Sequence, residues 1–376
     1  MARPHPRITE LLADGSASSR SDIARLLRVA PSTASAWVGQ LIDAGVVVED
    51  GLVASGVPLR GGGRPRRRLR LNRPPGHLLV AELGGNHARL GVTDRTGRLL
   101  HSTTSPLTVA DGPEQVLGSL ATLLRDQPAE GELAGGGLAL PGPVQPGGTV
   151  RLPSRMPGWA GFPVQEALTE SFGVPAVVEN DANAMALGEH RTQFGSEGDS
   201  ITVKAGTAIG SGIVIAGQLY RGATFAAGDV THTVVHAAGD RPCTCGKTGC
   251  LETVASGAGI VARLVEQGIK VTNTADALAL ARDGDPEATT MIRTAGSLLG
   301  EVLSSVVSFF NPQALFLTGG LASSQHFVTA VRARIYDGCH PLMTESLRIE
   351  AASLGADAAL AGTALLTAAA IRDATL

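Results

Sequence analysis

The chain has 376 residues, 43% of them hydrophobic and only 3% aromatic, and a formal net charge of −3. This length exceeds what one simple core usually holds, so we expect two or three domains whose cores are built from aliphatic side chains. No apolar run is long enough to cross a bilayer and no signal-peptide core follows Met1, which speaks against a membrane protein and predicts a cytoplasmic one.

The charge is unevenly distributed along the chain. Residues 1–72 contain eleven arginines, no lysine and six acidic residues, a formal charge of +5 that leaves −8 for the remainder. A basic segment joined to an acidic body predicts that only the first part meets a polyanion. We therefore expect a first domain at residues 1–72, a linker rich in proline at 73–76, and a body at 77–376.

Three short helices are predicted in the first domain. They span Ile8–Leu12, Ser21–Leu27 with Ser21 as the N-cap, and about Ser32–Ala44, where Gly45 ends the third helix. Small and polar residues near the start of the third helix are those that a recognition helix presents to the major groove of DNA. These candidate DNA-binding residues are Ser32, Thr33 and Ser35.

A basic wing is predicted to follow the helices. Short strands at 46–48 and 52–53 and a return strand at 66–71 enclose the glycine-rich tip Arg60–Pro65, and we assign Arg64 and Arg66 to DNA binding. A basic run alone would also fit a small helical domain with a solvated tail. The helix-turn-helix spacing combined with a basic wing favours a winged helix-turn-helix that binds DNA.

Three elements in which a strand runs into a glycine turn are predicted in the body. Such a turn lets backbone N–H groups approach phosphates. One of them alone is weak evidence, because hairpins use glycine freely, but three predict a nucleotide or sugar cleft lined from two lobes. The candidate nucleotide-binding residues in and beside these turns are Glu82, Gly84 and Gly85, then Gly206, Thr207 and Gly210, and finally Gly319 and Gly320.

A further predicted strand ends in Asn180-Asp181 and runs into a helix. This places a carboxylate at the carboxyl edge of a sheet, where α/β proteins bind ligands. Asp181 could take a proton from a sugar hydroxyl as a general base. It could equally cap the following helix, which is a common role for aspartate, and this segment alone does not favour either interpretation.

A cysteine cluster predicts a metal site in the body. Three of the four cysteines lie within eight residues, at Cys243, Cys245 and Cys250. Three thiolates and one imidazole form a closed tetrahedral zinc site, and His232 is the expected fourth ligand, with His236 as the alternative. The remaining Cys339 is remote and a Cys-x-Cys disulfide would be strained, so we expect zinc rather than a disulfide.

Together these segments resemble the ROK family, named for repressors, open reading frames and kinases, over almost the whole chain. The family's zinc motif, Cys-x-Cys-Gly-x-x-Gly-Cys-x-Glu, is intact at Cys243–Glu252, and its substrate motif stands at Glu179–Asn183. Its two phosphate loops match at Glu82–Asn86 and Gly206–Gly212, and its Glu-x-Gly-His element matches Asp229–His232. A winged helix-turn-helix ahead of this body is similar to the family's xylose- and N-acetylglucosamine-type repressors.

The resemblance implies an α/β fold in which two actin-like lobes follow the winged helix-turn-helix, with a zinc motif at residues 232–252. The metal ligands it implies are His232, Cys243, Cys245 and Cys250. The sugar-binding residues it implies are Asn180, Asp181, Asp229, His232 and Glu252. Because His232 cannot serve zinc and sugar with one nitrogen, its two ring nitrogens would divide the work, or His236 would take one role.

Four departures from the family's kinases surround this cleft. Glu82 stands where the kinases have an aspartate that helps to hold magnesium, and Asn86, Ala208 and Asp229 replace threonine, glycine and glutamate. Phosphoryl transfer depends on positioning, so four changes around one cleft predict that it is lost. ATP and magnesium would be cofactors, and Asp181 the catalytic base, only if kinase activity survives.

The sequence therefore predicts a sugar-responsive transcriptional regulator, most simply a repressor, that binds operator DNA. Its other partners would be a sugar or sugar-phosphate effector and further copies of the chain, in a dimer or tetramer. Two alternatives stay open at this point. One is an active ATP-dependent sugar kinase that also binds DNA, and the other is constitutive DNA binding by a protein whose ligand site has decayed.

Overall fold

In the computed structural model of the protein, the described residues are 5, 7–13, 16–52, 67–72, 76–151 and 156–374. They form two compact units, Met1–Gly76 and His77–Leu376. Among the residues described, no helix is both long enough and apolar enough to span a membrane.

The N-terminal unit contains three helices and a two-stranded antiparallel sheet. These elements are α1 (Arg7–Ala13), α2 (Arg20–Leu26), α3 (Pro31–Asp43), β1 (Val47–Leu52) and β2 (Arg67–Leu71). Ile8, Ile23 and Val38 are fully buried in its core, so each helix contributes one apolar side. The arrangement is a helix-turn-helix followed by the two strands of a wing.

Two local predictions in this unit need correction. Ser19, not Ser21, caps α2, because its side-chain oxygen accepts a hydrogen bond from the Asp22 N–H. The two short strands predicted before the wing are one continuous strand, β1. The tip Arg60–Pro65, with Arg64, and the adjacent Arg66 lie outside the described residues.

The first lobe of the body is built on a five-stranded sheet. Its elements are β3 (Gly76–Leu83), β4 (His87–Asp94), β5 (Leu99–Pro106), α4 (Pro113–Arg125), β6 (Glu132–Leu140), α5 (Val164–Phe172) and β7 (Ala176–Asn180). The strand order is β5-β4-β3-β6-β7, with antiparallel pairing from β3 to β5 and parallel pairing of β6 with β7. The helix α6 (Asp181–Phe194) leads out of this sheet into the second lobe.

The second lobe repeats this plan. Its elements are β8 (Ser200–Ala205), β9 (Ile209–Ile215), β10 (Gln218–Leu219), α7 (Glu252–Ala255), α8 (Gly257–Glu266), α9 (Thr274–Arg282), α10 (Pro286–Phe310), β11 (Ala314–Thr318), α11 (Gln325–Gly338), α12 (Pro341–Thr344) and β12 (Arg348–Ala351), and the C-terminal helix α13 (Ala358–Ala374) follows them. The strand order β10-β9-β8-β11-β12 is that of the first sheet. Two lobes of equal topology confirm the predicted actin-like fold.

The helices α6 and α13 pack closely against each other through small residues. A Cβ atom added at Gly362 of α13 would lie 1.8 Å from the carbonyl oxygen of Ala184, and one at Gly188 of α6 would lie 2.3 Å from that of Ala358. Leu360 and Ala364 of α13 also pack on β3 of the first sheet. The C-terminal helix therefore returns to the first lobe and holds α6 in place at the sheet edge that carries Asp181.

Candidate functional site

The clustered cysteines and one histidine converge on one point. The four ligand atoms of His232, Cys243, Cys245 and Cys250 all lie within 4.8 Å of one another. The sulfurs of Cys245 and Cys250 are 3.7 Å apart, and the Cys243 sulfur is 3.5 Å from Nδ1 of His232. Zinc–sulfur bonds of about 2.3 Å and zinc–nitrogen bonds of about 2.0 Å at tetrahedral angles require separations of about 3.8 and 3.5 Å. The donor set therefore has the chemistry and the spacing to hold a metal ion.

The two upstream histidines occupy different places. His232 ends a 3₁₀ turn, Val230–His232, and turns Nδ1 toward Cys243. His236 begins the next 3₁₀ turn and is not part of the cluster. Of the two alternatives that the sequence left open, the structure thus brings His232 to the thiols, and it does so through one ring nitrogen.

Two glycines shape the loop that carries the cysteines. Gly246 and Gly249 have φ angles of +87° and +76°, in a region that residues other than glycine rarely adopt. A Cβ atom at Gly249 would also lie 2.9 Å from the carbonyl oxygen of Gly239. The Cys243 N–H donates a hydrogen bond to the Lys247 carbonyl at 2.8 Å, which closes the turn that contains Cys245.

Protons compete with a metal ion at this cluster. Burial and the neighbouring sulfurs of Cys245 and Cys243 raise the pKa of the Cys250 thiol to about 12. Because metal ions bind the thiolate, binding must displace this proton, and the affinity for metal falls as the pH falls.

Glu252 connects the cysteine loop with the second glycine turn. It is the first residue of α7 and its side chain is buried. Its Oε2 accepts a hydrogen bond from the Ile209 N–H at 3.1 Å and another from the Thr231 hydroxyl at 2.6 Å. Ile209 begins β9 just after the glycine turn, and Thr231 precedes His232 in sequence. One carboxylate therefore joins three segments around the cleft.

The structure separates the two roles considered for Asp181. Asn180 is the N-cap of α6, because its side-chain oxygen accepts a hydrogen bond from the Asn183 N–H at 3.1 Å. The Asn180 amide also donates to the Gly142 carbonyl at 3.1 Å. Asp181 is the first helical residue and is 6% exposed; its Oδ1 accepts a hydrogen bond from the Ala182 N–H at 2.8 Å, and its Oδ2 is directed away from that contact. Asn180 is therefore the N-cap, and Asp181 contributes one oxygen to the helix start and the other to the cleft.

A lysine that the sequence analysis missed contacts this carboxylate. Lys204 of β8 places Nζ 2.7 Å from Oδ2 of Asp181 and 3.3 Å from Oε1 of Glu82. Burial alone would lower the pKa of Lys204, but the two carboxylates outweigh it and raise the pKa above its usual value. Burial raises the pKa of Glu82, and Lys204 opposes that rise. A charged residue inside an otherwise uncharged, buried strand was the available signal in the sequence.

A second missed ion pair fixes the strand end beside Asn180. Arg221 donates from Nε and Nη2 to Oε2 of Glu179, at 2.8 and 2.6 Å. The other Glu179 oxygen accepts from the Asn180 N–H and from the Asn183 side chain. Both oxygens of this buried glutamate are therefore used for positioning.

The first and second glycine turns differ in how open they are. Gly85 has free space around its Cα, whereas the His87 ring covers Gly84 so closely that a Cβ atom there would lie 2.3 Å from it. Gly210 lies in β9, where an added Cβ would come within 3.2 Å of the Ala182 side chain in α6. Close strand–helix packing therefore favours a small residue at position 210, and its role in nucleotide binding stays a prediction.

The other predicted nucleotide-binding residues line the junction of the second sheet with its helices. The carbonyl oxygens of Gly206 and Thr207 accept hydrogen bonds from the N–H groups at the start of α8. Gly319 has a φ angle of +86°, and a Cβ atom there would lie 2.5 Å from the Ala205 carbonyl oxygen. Gly320 is more open. A tight backbone contact thus explains the glycine at position 319, and nucleotide binding at these positions stays a prediction.

The start of α3 presents the predicted DNA-contacting side. Ser32 and Ser35 are exposed and Thr33 is partly exposed, whereas Ala34 and Val38 are fully buried. The helix thus packs one side into the core and offers small polar residues on the other, as a recognition helix does.

Known proteins match both units of the chain. Residues 79–370 match the model of the ROK family. The xylose repressor of Caldicellulosiruptor bescii is 27% identical over 370 residues, which cover 92% of this chain and 90% of the repressor. The crystal structure of a ROK family transcriptional regulator, a homolog of the E. coli MLC protein, superposes with a TM-score of 0.78 and 25% identity over 98% of this chain and 95% of that one. A ROK family glucokinase from Streptomyces griseus, in complex with glucose and AMPPNP, has a TM-score of 0.66 and 26% identity over 78% of this chain and 99% of the kinase. Because the family model matches well over half of the residues of this chain, the chain belongs to the ROK family.

Proposed function

We propose that the protein is a transcriptional regulator of carbohydrate metabolism, acting as a repressor. Its N-terminal unit binds operator DNA and its body binds a sugar or sugar phosphate. The observation that carries this proposal is the extent of the matches: the regulator structure covers 98% of this chain, whereas the glucokinase covers 78%. The additional part is the unit that contains the helix-turn-helix, whose exposed Ser32 and Ser35 are available for the major groove.

The effector pocket in this proposal lies where residues from both lobes meet. Asn180 and Asp181 stand at the edge of the first sheet, and Asp229, His232 and Glu252 belong to the second lobe near the cysteine cluster. Carboxylates, an amide and an imidazole are suitable hydrogen-bonding partners for sugar hydroxyls. His232 holds the metal through Nδ1, which leaves Nε2 for the sugar.

Zinc is the metal that we assign to His232 and the three cysteines. A closed site of this composition has no open coordination position, so zinc acts as a structural brace rather than as a catalyst. It holds the loop in which Glu252 follows the last cysteine, and Glu252 in turn holds Ile209 and Thr231. Loss of zinc therefore loosens the effector pocket while leaving the recognition helix intact. A reducing cytoplasm keeps the three thiols available for the metal.

Regulation follows from assembly into a homodimer. Two copies place two recognition helices on a palindromic site, and their spacing must match the half-sites. A sugar bound between the lobes favours one lobe arrangement only if it binds that arrangement more tightly. The spacing of the two DNA-binding units then changes with the effector, and operator affinity changes with it.

The test combines zinc content with effector response. Full-length protein is assayed for zinc and for sugar-dependent release of operator DNA, using sugars and sugar phosphates that a thermal-shift screen identifies. Cys245→Ser should lose zinc and the sugar response but keep operator binding. Cys339→Ser, the same substitution outside the cluster, should keep all three properties. Normal zinc and a normal response in Cys245→Ser would reject the proposed role of the metal. Failure of every sugar to shift the melting temperature would favour constitutive DNA binding.

A sugar kinase that also binds DNA is the second candidate, because the Asp181 carboxylate is retained at the sheet edge. An assay with ATP, magnesium and a panel of hexoses, pentoses and N-acetylated sugars decides between the two. Turnover at ordinary kinase rates, about 1–100 s⁻¹, would overturn the proposal that the protein is a regulator without kinase activity.

A further inference from the structure

A lysine ammonium group lies between two carboxylates at the junction of the lobes. Lys204 comes from β8 of the second lobe, Glu82 from β3 of the first, and Asp181 from the start of α6. The Nζ atom is within 3.3 Å of one oxygen of each carboxylate. Two acidic side chains from separate segments thus direct oxygens at one point, and a cation occupies that point.

The cluster is largely shielded from water. The Glu82 and Asp181 side chains are 7% and 8% exposed, and that of Lys204 is 24% exposed. Two buried carboxylates this close together cannot both stay ionised without a compensating charge. Lys204 supplies this charge, and its raised pKa keeps it protonated throughout the physiological range.

We propose that Lys204 is a built-in cation that occupies the place where Glu82 and Asp181 would otherwise bind a divalent metal ion. Carboxylate oxygens are the ligands that Mg²⁺ and Mn²⁺ prefer, and Mg²⁺ sites commonly use one or two carboxylates. The ammonium group makes comparable contacts to the same oxygens and cannot leave, because it is covalently attached to β8. The cleft therefore excludes the metal ion that a metal–nucleotide complex would bring with it.

The position of Lys204 in the sheet distinguishes it from a residue of an ordinary surface ion pair. Its backbone pairs with Gly210 of β9 and with Thr318 of β11, so the residue sits inside the second sheet rather than at an edge. Only Ala205 separates it from Gly206, where the second glycine turn begins. A metal ion that coordinated Glu82 and Asp181 would have to displace the ammonium group at this place.

Mn²⁺ alone is a sufficient probe, because the inference requires neither DNA binding nor a sugar. The melting temperature of the full-length chain is measured with and without about 1 mM MnCl₂, for the wild type and for Lys204→Met, which keeps an aliphatic stem without the charge. An Mn²⁺ site of about 0.1 mM affinity raises the melting temperature of Lys204→Met by about 2–4 °C. The wild type should show no such shift, and any shift common to both proteins reports metal bound elsewhere.

Two further variants isolate the cause. Lys204→Arg retains a cation and should respond to Mn²⁺ as the wild type does. Lys204→Met combined with Glu82→Gln retains one carboxylate and should lose most of the shift. If Lys204→Met cannot be recovered folded, Lys204→Gln takes its place, because an amide can still donate one hydrogen bond.

Equal Mn²⁺ shifts in the wild type and the uncharged variants would overturn the proposal. So would an undiminished shift in the double variant, because the metal would then not be using Glu82. These outcomes leave the regulator proposal standing, since none of them measures operator binding or effector response.

Discussion

Replacing Glu252 by glutamine tests whether one carboxylate holds the cysteine loop to the second glycine turn. The substitution keeps the shape of the side chain but removes its charge. Hydrogen bonds to charged groups contribute about 1.5–3 kcal/mol and neutral ones about 0.5–1.5 kcal/mol. Weakening the two bonds from Ile209 and Thr231 therefore costs about 2–3 kcal/mol. The desolvation that glutamine relieves lowers the net loss to about 1–2 kcal/mol.

Urea unfolding followed by circular dichroism measures this loss, with zinc content determined on the same samples. Glu266→Gln is the matched control, because Glu266 is half exposed and pairs with Arg241 at the surface. Such an exposed pair contributes little to stability, so this variant should unfold near the wild-type midpoint. If Glu252→Gln has the same midpoint as the wild type and an unchanged sugar response, the carboxylate does not join these segments.

Three further outcomes follow from particular contacts. Gly319→Ala should lower the free energy of unfolding by at least about 1–3 kcal/mol, because its φ is +86° and the new Cβ would meet a backbone carbonyl; an unchanged urea midpoint would contradict this. Arg221→Met should cost about 3 kcal/mol in the same assay, because it leaves the buried Glu179 without its partner, and Arg221→Met combined with Glu179→Gln should recover part of that loss. Burial alone would raise the pKa of Asp22, but hydrogen bonds from Ser19 and Ser18 together outweigh it and lower the pKa below its usual 3.8. The stability that the ionised Asp22 contributes is thus present above pH 3.8 and is lost as the pH falls through the pKa of the folded state. In Asp22→Asn, the protection of the α2 amides against hydrogen exchange should therefore depend less on pH in the acid range than it does in the wild type.

The metal cluster could be predicted from the sequence because most of its geometry is local. Cys243, Cys245 and Cys250 belong to one loop whose glycines set its turns, and spacing along the chain therefore reports spacing in the fold. The choice between His232 and His236 could not be made in the same way. It depends on which of two successive 3₁₀ turns faces the loop, and packing in three dimensions decides that.

The ion cluster in the cleft could not be predicted from the sequence, because its members are far apart along the chain. Glu82, Asp181 and Lys204 come from three segments, and nothing in their spacing shows that their charged atoms meet. Glycine was ambiguous for a related reason, because it serves both phosphate binding and close packing. The pattern predicts Gly210 in a phosphate loop, and in the structure a Cβ atom added there would come within 3.2 Å of the Ala182 side chain.

The repeated strand order of the two lobes also relates residues of one lobe to residues of the other. Glu82 and Lys204 are both the penultimate residues of the first strand of their sheets, two positions before a glycine. They are therefore equivalent residues of two halves, and they touch. Two identical charged residues at these positions would repel each other, so this ion pair depends on a difference between the two lobes. With an acid in one lobe and a base in the other, the equivalent positions form an ion pair that joins the two lobes.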